Sequence, residues 1–96
     1  PALDVPTIPA KYREIFRQTM SHDLARLERA IAESDARELR LVLHRMRGGF
    51  AAVQARGLHQ LAQSAEDTLA ADGLGDAVGA KLNTLAAALT RTLTEV

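Results

Sequence analysis

Ninety-six residues with 12 basic and 12 acidic side chains suit one small domain of zero net charge, which argues against a nucleic-acid binder. The absence of cysteine excludes a disulfide framework and thiolate metal sites, and it fits a reducing, cytoplasmic setting. No apolar run approaches the roughly 20 residues needed to span a bilayer, and the start of the chain lacks a signal peptide's charged-then-apolar layout, so no direct membrane contact is expected.

Alanine and leucine dominate a 47% hydrophobic composition with few aromatic residues, a mixture that suits helices far better than sheets, so the predicted class is all-α. All three prolines fall between Pro1 and Pro9. Residues 1–8 are therefore expected to be a linker and residues 9–96 the domain. A first helix is predicted from about Pro9, since proline fits a first turn whose N–H groups have no partner anyway. Its stripe is Phe16, Met20, Leu24, Leu27 and Ile31, with a bend or break expected near Ser21 that would leave a short extra amino-terminal helix. Ser34 and Asp35 offer an N-cap to the second helix, and Glu38 completes a capping box. The second stripe, Leu39, Leu43, Met46, Phe50 and Val53, runs through Gly48 and Gly49. Gly57 is expected to mark a short turn into a third helix with the stripe Leu58, Leu61, Ala65 and Leu69, which breaks at Asp72 and Gly73. Val78, Leu82, Leu85, Leu89, Leu93 and Val96 stripe the fourth. Four such helices with short connections predict an antiparallel four-helix bundle, and because one bundle can use all four stripes, the isolated domain is expected to be a monomer.

Charge is unevenly spread. Residues 37–56 carry five arginines against Glu38, a net charge of plus four, while both flanking segments are slightly negative. His44 lies in this basic segment, far outside the apolar arc of its helix at about 100° per residue. Arg37, Arg40, Arg47, Gly48 and Ala51 share its side of the helix. Two adjacent glycines inside a helix cost roughly 1 kcal/mol each relative to alanine, and close approach of a partner beside His44 is a reason to keep Gly48. Arg47 can supply charge-assisted hydrogen bonds to phosphoryl oxygens, whereas Gly49 points elsewhere and suits helix packing. His22 and His59 read as ordinary solvated histidines.

The run Leu43-His44-Arg45-Met46-Arg47-Gly48 resembles the H-x-x-[KR]-G core of histidine-phosphotransfer (HPt) domains, whose histidine is phosphorylated on Nε2. The resemblance covers nearly the whole chain: Asp35 stands nine residues before the histidine, Leu58, Leu61 and Glu66 match the following helix, and Phe16, Leu24, Leu27 and Ile31 the preceding one. It implies a phosphorelay in which a receiver-domain aspartyl phosphate donates to His44, which passes the group to a second response-regulator receiver. It further implies Glu66 as an acceptor that orients the imidazole, Gln63 as a weaker candidate for the ring or phosphoryl group, and Arg37, Arg40, Gly48 and Ala51 as a receiver-docking surface. Mg²⁺ is expected in the partner receiver and no cofactor here. The implied parent is a hybrid sensor kinase, membrane-anchored or not, with this domain at its C-terminal end. Gln54 departs from the pattern, since many members have glycine ten residues after the histidine, and a longer or differently turned helix end is expected.

Gly73-Leu74-Gly75 lacks the lysine and strand of a phosphate-binding loop, so no ATP-dependent kinase activity is expected of this domain. Two other readings stand beside phosphotransfer. One is a non-catalytic helical adaptor that binds an acidic partner through its Arg-rich face. The other is a metal-binding bundle using His22, His44 and His59, which lacks paired i, i+4 ligands and any Glu-x-x-His motif.

Overall fold

A computed structural model describes residues 8–96. They form a 3₁₀ turn, Ala10–Tyr12, and four helices: α1 (Arg13–Ala32), α2 (Ala36–Ala52), α3 (Arg56–Asp72) and α4 (Asp76–Glu95). Each helix packs on its neighbours in chain order, and α4 closes the ring against α1. Three-residue connections leave consecutive helices no alternative to antiparallel packing. The architecture is the expected all-α four-helix bundle.

The stripes form one core. Phe16, Met20, Leu27, Leu39, Leu43, Met46, Phe50, Leu58, Ala65, Leu69, Val78, Leu82, Leu85 and Leu89 are buried, while Leu24, Ile31, Val53, Leu61, Leu93 and Val96 pack at its edge. The burial arcs are rotated slightly from the leucine-only stripes: Ala30, Val42, Ala62 and Ala88 lie inside, as does Asp23. Small residues let the helices approach closely, so alanine marks the interface as well as leucine does.

Three boundaries differ from expectation. Helix α1 runs without interruption through Ser21, because Met20 and Leu27 on either side of it are anchored in the core. At its start, Pro9 caps the 3₁₀ turn, and Tyr12, at φ −106° and ψ −5°, separates that turn from the α-helix. Of the expected linker, residues 1–7 lie outside the described residues. Ile8 is buried in the core, and its carbonyl accepts from Arg13 Nε at 3.2 Å.

The third difference is at the α2–α3 connection. Gly57 lies inside the first turn of α3, and the chain reverses at Gln54 instead, with φ at +60°. Gln54 N–H donates to Ala51 and Ala55 N–H to Phe50, the paired bonds that close a helix end around one left-handed residue. The α2 end closes on Gln54 itself, in the left-handed conformation that glycine adopts at no steric cost. The α1–α2 connection repeats the device with Ser34, at φ +50°, as Ser34 N–H donates to Ile31 and Asp35 N–H to Ala30. Asp35 then caps α2, its carboxylate accepting from Glu38 N–H at 3.0 Å. The expected capping box is half made, because the Glu38 carboxylate turns to Arg26 Nε at 2.8 Å.

Candidate functional site

With Leu39, Val42, Leu43, Met46 and Phe50 facing the core, the opposite side of α2 must face solvent, and His44 is at its centre with a side chain 77% exposed. Arg37, Arg40, Gly48 and Ala51 are exposed on the same side. A Cβ built on Gly48 meets nothing within 4 Å, so no neighbour in the bundle requires glycine there. At Gly49 a Cβ collides with Met20 Cε, which assigns that glycine to the packing of α2 on α1.

Arg45 and Arg47 leave α2 in opposite directions. Arg45 Nη2 lies 3.4 Å from Oδ1 of Asp23 on α1. Arg47 Nη1 donates to Oε1 of Glu66 on α3, while the other oxygen of that carboxylate, Oε2, is 3.8 Å from His44 Nδ1. Glu66 therefore faces the imidazole across the α2–α3 groove, slightly beyond hydrogen-bond reach, with Arg47 as its bonded partner. Nδ1 is the ring nitrogen turned to the carboxylate, which leaves Nε2 on the outer side of an exposed ring. Gln63, one turn before Glu66 on α3, is exposed. Among the described residues no group of three or more histidine, aspartate or glutamate side chains is arranged to hold a metal ion.

A neutral imidazole nitrogen exposed on a rigid helix, with a carboxylate behind the opposite nitrogen, is suited to accept an electrophilic group and stabilise the positive character the ring gains. Two exposed arginines and the bare backbone at Gly48 form a surface on which an acidic partner can approach closely. A family model of the Hpt domain matches residues 11–95. The chain belongs to the Hpt domain family. Neither a search of curated proteins nor one of solved structures gave a match. Hpt domains are helical bundles with a phosphotransfer-related role, and they interact with receiver domains of two-component systems. Among the described residues, no helix of this Hpt domain is long and apolar enough to cross a membrane.

Asp23 is a buried acidic residue of α1 that the apolar periodicity does not mark. Its side chain is 1% exposed, and its Oδ1 has no hydrogen-bond partner despite the Arg45 guanidinium nearby. The spacing of Asp23 is as regular as that of Leu24: position 23 follows Met20 by three and precedes Leu27 by four, so the two residues flank the line through Met20 and Leu27 symmetrically. The Arg26–Glu38 pair lies on the same α1–α2 seam, where the hydrogen bond from Arg26 holds the Glu38 carboxyl below its ordinary range against the opposing effect of desolvation.

Proposed function

We propose that this Hpt domain is a phosphorelay intermediate in which His44 accepts a phosphoryl group from a receiver-domain aspartate and passes it to a second response-regulator receiver. The Nε2 lone pair attacks phosphorus, the bond from phosphorus to the aspartate oxygen breaks, and the carboxylate leaves with the bonding pair. His44 keeps its Nδ1 proton and carries the phosphoryl group until a second aspartate carboxylate attacks in the reverse sense. The supporting observation is an imidazole 77% exposed on α2 whose Nδ1 faces Glu66 3.8 Å away, leaving Nε2 outward. Arg47 and Gln63 are proposed to contact the phosphoryl group, and Arg37, Arg40, Gly48 and Ala51 to seat the receiver, which brings the Mg²⁺. A cytoplasmic setting at the C-terminal end of a hybrid sensor kinase fits this role.

Incubating the domain with a receiver phosphorylated by a small phosphodonor tests it. Wild type is expected to take up acid-labile, base-stable phosphate, and His44→Gln to take up none while keeping its helicity and stability within about 0.5 kcal/mol, as exposed substitutions do. Phosphate on His44→Gln would move the site to His22 or His59. Receiver binding without any phosphate uptake by wild type would leave the adaptor.

A further inference from the structure

The carboxylate of Glu66 is shared unequally. One oxygen is bonded to Arg47, and the other stands 3.8 Å from His44 Nδ1, too far to accept its proton. Arg47 is itself only partly used: it meets Glu66 through Nη1, while its Nε is buried without a hydrogen-bond partner. We infer that Arg47 is a latch on Glu66, holding the carboxylate off His44 in the unphosphorylated domain and turning to the phosphoryl group once His44 carries one, so that Glu66 closes on Nδ1–H. This rests on His44 being the phosphoryl carrier.

Charge and reach support the exchange. Arg47 and Glu66 neutralise one another at rest. A phosphoryl group brings roughly two negative charges and three strong acceptor oxygens. Arg47 is three residues from His44, on the same turn of α2, and its planar fork suits phosphoryl oxygens better than it suits one carboxylate oxygen. Deprived of Arg47, Glu66 is a half-sheltered carboxylate, 21% exposed, with the Nδ1–H of His44 as the nearest donor on the facing helix. The ring is exposed and borders the open space at Gly48, so it is free to turn the short distance required. Arg47 and Glu66 act here as positioning residues: one sets when the other holds the ring.

The tautomer of neutral His44 reads the latch directly, through the ¹⁵N shifts of its two ring nitrogens in the unphosphorylated domain. Arg47→Met, which keeps a long stem and removes every donor, is expected to raise the ratio of Nδ1–H to Nε2–H tautomer roughly tenfold, the worth of one charge-assisted hydrogen bond. Arg47→Gln, with a neutral donor, gives a smaller shift in the same direction and serves if Arg47→Met does not fold. The shift should vanish in either background when Glu66→Ala is added, which removes the acceptor. An unchanged ratio in the single variants, or a shift that persists without the carboxylate, overturns the latch. Because these spectra need no receiver, they judge the latch separately from phosphate uptake by wild type, whose failure would instead remove the phosphorelay reading.

Discussion

On the side of α2 that meets α1, Arg45 lies 3.4 Å from Asp23, Arg26 bonds Glu38, and Gly49 gives room to Met20. On the side that meets α3, Arg47 bonds a carboxylate whose second oxygen faces His44, and Gly48 between the two flanks gives room to nothing in the bundle. The residue types are the same, but their surroundings are not. Asp23 is fully enclosed, so its partner compensates for burial. Glu66 keeps one oxygen turned to the exposed His44 imidazole, so on the proposed reading its partner controls what that oxygen does. An arginine's place beside an exposed histidine in sequence is therefore no guide to its surroundings; the helix across from it decides.

The largest effects should come from the glycine pair. Gly48→Gln is expected to abolish receiver docking, and with it transfer, while leaving stability unchanged or raising it by up to about 1 kcal/mol, because glycine is the poorer helix former and the added side chain meets open space. Gly49→Gln should gain less or lose slightly, by up to about 1 kcal/mol, because the flexible end of Met20 has to move aside for the new Cβ. Denaturant titration and a receiver-binding isotherm on both variants check this. Loss of stability in Gly48→Gln would erase the distinction between the flanks.

A second dissociation compares the carboxylates. Glu66→Ala should slow phosphorylation about tenfold at saturating receiver, the worth of one charge-assisted hydrogen bond to the ring, with receiver affinity retained. Arg45→Ala should leave the transfer rate unchanged and cost about 1–2 kcal/mol, since it strands a buried carboxylate; the half-exposed position of Arg45 keeps the loss below that of a fully buried pair. Asp23→Leu, which removes the buried charge altogether, should be far milder than Arg45→Ala. If instead Arg45→Ala slows transfer as much as Glu66→Ala does, the α1 flank belongs to the site.

The turn beyond the site offers a smaller test. Gln54 holds a left-handed conformation at φ +60°, so Gln54→Gly should stabilise by about 0.5–1 kcal/mol, the relief of strain exceeding the added flexibility of the unfolded chain. Thermal melts check it, and no change would mean that Gln54 is not strained there.

Periodicity alone was enough to find the four helices and most of the core, because burial of one face is what fixes a helix in a bundle. His44 was legible for the same reason: a polar residue opposite a regular apolar stripe has to be exposed. The ends were less legible. Gln54 and Ser34 hide two left-handed turns behind residues that do not announce them, and Gly57 drew attention to a position inside α3. The directions of Arg45 and Arg47 could not be read from α2, since they are set by Asp23 and Glu66 on other helices. Asp23 is hidden from the sequence because Leu24 beside it satisfies the same stripe.

Acid should release the Arg26–Glu38 link of the α1 flank. The Arg26–Glu38 bond depresses the Glu38 carboxyl, so the folded state holds that group ionised to a lower pH than the unfolded chain does. A depressed folded value contributes stability that is fully present above the unfolded value of about 4.5 and is lost as pH falls through the folded one. Wild type should therefore melt above Glu38→Gln near neutrality by a small, salt-sensitive margin, because both partners of the pair are partly in solvent. The two melting curves should converge once the pH drops below the folded value of Glu38. Arg26→Gln should lose the same margin at neutral pH and leave little further difference on acidification in the Glu38→Gln background. A gap between wild type and Glu38→Gln that stays constant from neutral to strongly acid pH would show that Glu38 contributes through its stem packing on α1 and not through its charge.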